Sequence, residues 1–459
     1  MQVLITIALI VIGVLLFEFI IFAHEFGHFI TAKRSGVQVN EFALGMGPKL
    51  FSFKKGETTY SLRLFPIGGY CAMEGEDEES KNPRAFTNAK VWKRMIIIVA
   101  GAVMNIIAGF ILVFVLTINQ AEFYSTTVKG FTPVSFTEMS GLQKGDKIVN
   151  VGGYSVVNSK DLLMGIQLLP CETVDSDSLG VYKEQACLSA KTCLEKLYSD
   201  EKMDYDTAMD IYTDTFSEQT RKLYAAGDEK TAEEIYRETV DKIYSEAKVD
   251  KPKDFEYPEV EISEKTERFV GDVEVVRDGR NVTLRNVHFY TAVNQKGKTV
   301  VQLDFAVDGK DKNFGTVMEE TFTGTVSNAK IVWKSLELLV KGKFSLTDMS
   351  GPVGITAVVS DAASVGLQSS FGDAVLNIVM IMALITINLG IFNMLPFPAL
   401  DGGRFVFLLI EAIIRRPIPR KVEYIVNGAG LALLILLIIF ISGNDIYKLF
   451  TGTFPTSDS

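Results

Sequence analysis

The sequence predicts a polytopic α-helical membrane protein with four transmembrane helices, a membrane-associated β-hairpin and an extracytoplasmic α+β domain that carries a helical insert. Apolar residues make up 47% of the 459 residues, and the mean hydropathy of +0.21 is high for a soluble protein. Four apolar runs close to the length of a membrane span occur at residues 3–23, 95–118, 374–395 and 426–441. Buried core helices of a soluble protein are the alternative, but runs that together contain a single charge, Glu18, favour the membrane.

Basic residues predict the orientation of these helices. Eleven Lys and Arg residues lie in the connection between the first two runs, and five lie between the last two. Short loops rich in Lys and Arg remain in the cytoplasm. We therefore expect both connections to face the cytoplasm, and the middle region, about residues 120–373, and both termini to face outside.

The first run ends in side chains that can bind a metal. His24-Glu25-Phe26-Gly27-His28 places two histidines four residues apart, on one helix face and about 6 Å from each other. Both imidazoles can then reach one Zn²⁺, while Glu25 lies beside them, placed to take a proton from a water on the metal. Two satisfied core histidines are the alternative. Unpaired His and Glu near hydrocarbon are costly, however, and by default mark function.

A second polar group interrupts the third run. Residues 393–403 read NMLPFPALDGG, and their two prolines and two glycines break the helical pattern. Irregular backbone at membrane depth is tolerated only where it lines a cavity or packs on protein. Asp401 is expected near the cytoplasmic boundary, at the depth of the two histidines, and zinc commonly takes one ligand that is remote in sequence. An interfacial Asp that caps a turn is the alternative; beside a membrane-embedded HEFGH segment, the ligand role is favoured.

These segments resemble the site-2 protease family of intramembrane zinc metalloproteases, and within it the bacterial branch with an extracytoplasmic PDZ domain. The resemblance covers about residues 1–168 and 266–450. The residues that carry it are the HEFGH segment, Leu400-Asp401-Gly402, Gly101 and Asn105 in the second run, and SGPVGI at residues 350–355.

The resemblance implies an activity, a cofactor and a set of site residues. The cofactor would be Zn²⁺, and its ligands would be His24, His28 and Asp401. Glu25 would act as the general base for a zinc-activated water that hydrolyses peptide bonds within or near the bilayer. The residues that shape the substrate-binding region would be Asn393, Pro396 and Pro398. The partners would be the lipid bilayer and single-pass transmembrane substrates, such as anti-sigma factors or signal-peptide remnants, and no nucleic acid.

Two further polar residues lie within the apolar runs. Asn105 shares one helix face with Gly101 and Gly109, so that helix packing and a place at the active centre, among the substrate-binding residues, both stay open. Glu18 lies seven residues before Glu25 and is assigned no chemistry. The competing functions are a non-catalytic scaffold with a PDZ domain and a zinc transporter. The intact base and ligand candidates disfavour the first, and the single small ligand set disfavours the second.

The first cytoplasmic connection predicts a β-hairpin. Residues 58–65 and 70–73 alternate with period two on either side of a Pro/Gly turn at residues 66–69. A solvated hairpin is the alternative. In the resembling family, a comparable element enters the membrane and pairs with an unwound substrate strand, which is a form of β-augmentation.

Outside the membrane, residues 141–153 (GLQKGDKIVNVGG) resemble the turn-and-strand core of a PDZ domain. A helix is expected at residues 161–169 and two strands within residues 271–289. Between these parts, residues 171–265 carry 25 acidic and 13 basic residues and predict two or three solvated helices inserted into the domain. A structural insert is favoured over a partner-docking surface.

The predicted segments follow one another along the chain. They are the first transmembrane helix with the zinc motif (1–30), a cytoplasmic loop with the β-hairpin (31–94), the second transmembrane helix (95–119), the PDZ domain (126–310) split by the insert (171–265), an amphipathic linker with the GPVG motif (320–372), the third transmembrane helix with the LDG motif (373–403) and the fourth (424–445). We expect a multi-pass cell-membrane protein whose PDZ domain and termini are extracytoplasmic and whose zinc site lies near the cytoplasmic side.

Overall fold

The computed structural model describes residues 2–76, 80–132, 135–174, 179–200, 202–252, 255–258, 260, 266–293, 299–343, 345 and 349–451. In chain order its helices and strands are α1 (Gln2–Ser35), β1 (Val39–Lys55), β2 (Thr58–Met73), α2 (Val91–Asn119), β3 (Phe123–Phe131), α3 (Phe136–Met139), β4 (Lys147–Val151), β5 (Tyr154–Ser155), α4 (Ser159–Gln167), β6 (Cys171–Val174), α5 (Leu179–Ser199), α6 (Tyr205–Asp210), α7 (Ser217–Ala225), α8 (Glu229–Glu246), β7 (Thr266–Arg277), β8 (Arg280–Val293), β9 (Thr299–Gln302), β10 (Phe305–Lys310), α9 (Phe314–Val340), α10 (Pro352–Ser369), α11 (Phe371–Asn393), α12 (Asp401–Ile414) and α13 (Arg420–Thr451). The chain divides into two compact units, Met1–Ala121 with Asn313–Ser459, and Glu122–Lys312.

The first unit contains the helices that are able to cross a membrane. Within the described part of the chain, four helices are long and apolar enough, which confirms the predicted number: Ile7–Ser35, Val91–Asn119, Phe371–Asn393 and Lys421–Thr451. The predicted third segment, 373–403, is wrong at its end. Helix α11 ends at Asn393, and Asp401 begins the separate helix α12. Pro396 and Pro398 lie between the two helices. They account for the interruption, because proline lacks the N–H that would continue the helical hydrogen bonds.

Helices α1, α2 and α11 form the apolar core of this unit. Ile20 of α1, Leu112 of α2 and Ile378 and Ile387 of α11 belong to one buried cluster. The predicted linker, 320–372, is largely helical: α9 packs against α2 and α11, and α10 packs against α11. At the last contact Asn377 donates a hydrogen bond to the carbonyl oxygen of Ala362 (3.0 Å).

The sheet of the first unit differs from the predicted hairpin. Residues 58–65 and 70–73 do not pair with each other across the turn at 66–69; both pair with β1. Phe42 of β1, for example, is opposite Tyr60 on one side and Cys71 on the other. One reversal of the chain lies at Gly56, whose φ of +65° is readily adopted by glycine. The four segments lie in the order 49–55, 58–63, 39–44, 69–73. Residues 41–44 and 59–62 run parallel, the other neighbouring segments run antiparallel, and the prediction missed β1.

The second unit is built on a sheet whose main path has the order β10-β3-β4-β7-β8-β9. The helix expected at 161–169 is α4, and the two strands expected within 271–289 are β7 and β8. A buried carboxylate fixes the turn before β4. Asp146 is 0% exposed and accepts two hydrogen bonds from Arg277 of β7 (2.7 Å each) and one from the backbone N–H of Gln143 (2.8 Å).

The insert is more than the two or three solvated helices predicted. It contains α5, α6, α7 and α8, with a π-helical segment at Ile211–Phe216. These helices enclose an apolar core of their own, in which Phe216, Ala232, Val240 and Ile243 are 0% exposed. Charged residues cover the outside of the insert, whereas apolar residues spaced three to four apart along α8 form its core. The prediction relied on the net charge of the insert and therefore did not detect this apolar spacing.

Candidate metal centre

Three acceptor atoms converge between α1 and the first residue of α12. The Nε2 atoms of His24 and His28 are 3.2 Å apart, and Oδ2 of Asp401 lies 3.2 Å from the first and 3.4 Å from the second. Among the described residues, these three side chains form the one group of His, Cys, Asp and Glu found close enough to hold a metal ion. Ligand atoms about 2.0–2.1 Å from a tetrahedral zinc are about 3.3 Å from one another, so the spacing is that of three corners of a zinc site.

The chemistry of the three atoms also fits a cation. Asp401 Oδ2 is buried and has no hydrogen-bond partner among the described residues, so no donor there compensates for its desolvation. Two unprotonated imidazole nitrogens and a carboxylate oxygen direct lone pairs at one another, and a cation between them removes this repulsion. Two His and one carboxylate are a zinc donor set that leaves a fourth position for water.

The backbone around Asp401 explains how an irregular loop delivers it. Ala399 has a left-handed φ of +74°, and Leu400 has the extended conformation that precedes a helix. Gly402 and Gly403 follow because the loop folds back on them: a Cβ on Gly402 would lie 2.1 Å from the carbonyl oxygen of Leu395, and one on Gly403 would lie 2.4 Å from that of Phe397. The glycines after Asp401 therefore let the start of α12 pack on the loop.

Both histidines are oriented by groups on α2. Nδ1 of His28 is 2.8 Å from the carbonyl oxygen of Ile97 and donates to it, which leaves Nε2 unprotonated as a ligand. Nδ1 of His24 is 3.3 Å from the side-chain amide of Asn105, which is 0% exposed. Asn105 Oδ1 has no hydrogen-bond partner in the part of the chain that the structure describes, and amide oxygen and nitrogen can be exchanged by rotating the group. With the amide turned, Oδ1 accepts the Nδ1–H of His24 in the same way.

Two glycines, Gly27 of α1 and Gly101 of α2, let these helices pack closely at the histidines. A Cβ on Gly101 would lie 2.4 Å from His28 Nε2 and 2.8 Å from His24 Cε1, and a Cβ on Gly27 would lie 2.3 Å from the carbonyl oxygen of Ala100. Ordinary contacts are longer than 3.4 Å, so neither position accepts another residue without movement. The sequence reading missed Gly27 and the Ile97 carbonyl; the small residue between the histidines was the available signal.

Of the remaining predicted site residues, some lie at the ligand cluster and others do not. Glu25 lies beside the sheet, because a Cβ on Gly69 would be 3.5 Å from Glu25 Cγ. Asn393 Nδ2 is 3.5 Å from His24 Nε2, at the ligand cluster. Pro398 instead contacts α13, and Pro396 is exposed. One oxygen of Glu18 is buried and lacks a partner among the described residues, and the structure gives it no contact with the cluster.

Comparison with known proteins identifies the class. Residues 12–437 match peptidase family M50. The regulator of sigma-W protease RasP of Bacillus subtilis is 29% identical over 438 residues, which are 95% of this chain and 98% of that protein. The zinc metalloprotease RasP of Bacillus licheniformis is 30% identical over 448 residues, with the same two shares.

The chain belongs to peptidase family M50, the site-2 proteases. It is a zinc metalloprotease that works in a membrane on protein substrates.

Proposed function

We propose that this protein hydrolyses peptide bonds of single-pass membrane proteins within or near the bilayer, with His24, His28 and Asp401 as zinc ligands and Glu25 as general base. The observation that carries the proposal is the convergence of three ligand atoms at tetrahedral spacing, two of them on a helix that is long and apolar enough to cross a membrane. Anti-sigma factors and signal-peptide remnants are the substrates that the proposal includes.

The side chains of the site divide the chemical work. When bound, zinc supplies Lewis-acid activation of water and of the scissile carbonyl. Glu25 follows His24 directly, takes the proton of the attacking water and returns it to the leaving amine. Asn105 and the Ile97 carbonyl hold the two imidazoles in the ligand tautomer. Asn393, whose Nδ2 is 3.5 Å from His24 Nε2, would donate a hydrogen bond to the substrate carbonyl.

The sheet of the first unit supports a binding mode for the substrate. Among the described residues, segment 69–73 pairs on one side only, with segment 39–44. This segment lies beside Glu25, because a Cβ on Gly69 would be 3.5 Å from Glu25 Cγ. A helical substrate conceals its scissile carbonyl in the hydrogen-bond ladder. Pairing of the unwound substrate with segment 69–73 would replace that ladder and lay the substrate beside the base.

The topology is a further part of the proposal. The basic residues of the short connections favour a zinc site near the cytoplasmic side and an extracytoplasmic second unit. We propose that the sheet with α4 in this unit is a PDZ domain, that α5–α8 are its insert, and that it excludes substrates whose external part is untrimmed. Impermeant labels on intact cells should then reach tags within residues 179–200 and not tags within residues 80–90; the reverse pattern would overturn the orientation.

The decisive experiment separates catalysis from metal binding. Purified Glu25→Gln and wild type are compared in detergent for zinc content and for cleavage of a single-pass substrate. Glu25→Gln should keep its zinc, because the amide leaves the ligands intact, and lose cleavage by at least about 10²-fold, because an amide is no base. His24→Ala and Asp401→Ala should lose zinc as well.

Two outcomes would contradict this assignment. Equal cleavage by wild type and Glu25→Gln would remove Glu25 as the base, and unchanged zinc content in Asp401→Ala would remove the aspartate as a ligand.

A second experiment identifies the substrates. Membrane stubs should accumulate in cells that carry Glu25→Gln and not in cells that carry the wild type.

A further inference from the structure

One buried carboxylate of the first unit has no part in the chemistry described so far. Asp445, near the end of α13, is 1% exposed. Its Oδ2 accepts hydrogen bonds from the backbone N–H groups of Gly351 and Gly354, at 2.8 Å each. These glycines belong to the SGPVGI motif, to which the active site assigns no role.

Through these two hydrogen bonds, Asp445 caps the N-terminus of α10 although it is remote in sequence. Gly351 is the N-cap of α10, Pro352 is its first residue and Gly354 is its third. In a capping box the side chains of these two positions accept each other's N–H groups. Here both positions are glycine, and one oxygen of Asp445 takes both N–H groups. The negative charge also lies at the positive end of the α10 dipole, and Pro352 needs no acceptor because it has no N–H.

The glycines are required by the space that the carboxylate occupies. A Cβ on Gly354 would lie 2.9 Å from Asp445 Oδ2 and 3.0 Å from its Cγ. A Cβ on Gly351 would lie 3.1 Å from Oδ2 and 3.0 Å from Cγ2 of Ile441. The motif is therefore a receptor for one carboxylate, and Asp445 fills it.

The other end of α13 touches the loop that leads to Asp401. A Cβ on Gly430 would lie 2.4 Å from Pro398 Cβ and 2.7 Å from Pro398 O, and Oδ1 of Asn427 accepts a hydrogen bond from Ala399 N–H (3.3 Å). Gly430 and Asp445 are fifteen positions apart on the helix, about 22 Å along its axis. Only 11% of the most apolar stretch of α13 is buried, so these two contacts carry much of its attachment.

We propose that Asp445 is a positioning residue: its carboxylate, held by Gly351 and Gly354, locks α13 to α10 and thereby keeps the opposite end of α13 against the loop before Asp401. Release of Asp445 lets α13 tilt and frees the N–H of Ala399. The consequence for activity rests on the proposed zinc-ligand role of Asp401. The contact between α10 and α13 does not.

The test measures backbone hydrogen exchange in the full-length protein in detergent. In Asp445→Ala, exchange of the Gly351 and Gly354 N–H groups should accelerate at least about tenfold, because both lose a charged acceptor. Ala399 N–H should also exchange faster, since α13 no longer holds Asn427 in place. Asp445→Asn keeps one acceptor oxygen and should restore most of the protection.

Matched variants guard against general unfolding. Gly443→Ala lies on the same helix, its added Cβ meets no described residue within 4 Å, and it should match wild type. Gly354→Ala disturbs the same contact from α10 and should give the same faster exchange as Asp445→Ala. Cleavage by Asp445→Ala should fall about tenfold through kcat, with unchanged zinc content.

Each possible result bears on one of the two claims. Protection of Gly351 and Gly354 in Asp445→Ala equal to that in Gly443→Ala would overturn the lock. Faster exchange there without any change at Ala399 or in kcat would overturn its influence on the loop. A wild-type protein that does not cleave peptides would refute the proposed function and leave the exchange result standing.

Discussion

Helices α2 and α13 have nearly the same apolar character and opposite surroundings. The mean hydropathy of their most apolar stretches is 2.7 and 2.6, yet 56% of that stretch is buried in α2 and 11% in α13. The difference lies in small and polar residues. On α2, Gly101 contacts the histidines and Gly109 contacts Ile387 of α11, whereas a Cβ on Gly428 or Gly443 of α13 would meet none of the described residues within 4 Å.

This comparison teaches what burial means in a bilayer. Lipid is as apolar as a leucine side chain, so apolar residues do not drive one helix against another, and close approach and hydrogen bonds do. Helix α2 is a platform that orients both histidines through Ile97 and Asn105. Helix α13 touches the rest of the unit at few points, which makes each of those points important. The following predictions test this contrast, from the largest expected effect to the smallest.

Gly101→Ala should abolish zinc binding. The added Cβ lies 2.4 Å from His28 Nε2, so the imidazole must leave its place in the cluster. We expect a loss of zinc affinity of at least about 100-fold, with a corresponding loss of cleavage, measured by metal analysis of the purified protein. Gly13→Ala, on α1 with open space around its Cβ, is the control. Full zinc content in Gly101→Ala would contradict the close approach of α2.

Arg94→Ala should destabilise the N-terminal end of α2. Arg94 is paired with Glu411 of α12, and the two side chains are only 10% and 16% exposed. Removing one partner leaves a poorly solvated charge, which costs about 3–5 kcal/mol, whereas apolar replacement of both is often neutral. The free energy of unfolding should therefore fall in Arg94→Ala and recover in the double variant Arg94→Met, Glu411→Leu. Equal losses in both variants would contradict this reasoning.

Gly430→Ala should loosen α13 from the loop before Asp401. Its Cβ would meet Pro398 at 2.4 Å, and the helix must move away. We expect cleavage to fall about tenfold, with most of the zinc retained because both histidines lie elsewhere. Gly428→Ala, with nothing within 4 Å, should cleave like wild type. If the two variants behave alike, the contact between α13 and the loop has no functional weight.

The smallest effect concerns pH and the sheet of the first unit. Burial raises the pKa of Glu41, but hydrogen bonds from Ser61 (2.6 Å), Lys49 and Arg63 (3.0 Å each) outweigh it and lower this pKa from its ordinary 4.5 to about 2. A lowered folded-state pKa stabilises the protein above pH 4.5, and this stability is lost as the pH falls towards 2. Thermal melts should show a steeper loss between pH 5 and 3 in wild type than in Glu41→Gln. Parallel losses would contradict the role of Glu41.

Much of the site could be predicted from local pattern. The four-residue spacing of His24 and His28 determines their common helix face, and four apolar runs determine four candidate membrane helices, because both follow from the geometry of a single helix. The partnership with Asp401 was predicted from its expected depth in the membrane and from a resemblance, because no periodicity links it to the two histidines. The double pairing of segment 39–44 was missed, since strand pairing depends on a distant segment and leaves only a weak local pattern.

The sequence by itself therefore determined which residues are able to bind zinc and how many helices are able to cross a membrane. Only the tertiary structure decided that Asn105 turns to His24, that a new helix begins at Asp401, and that Gly351 and Gly354 receive the carboxylate of Asp445, about 90 residues further along the chain. The physical reason is the same in each case. A close contact between two helices depends on the shape of both partners, and one stretch of sequence specifies only its own half.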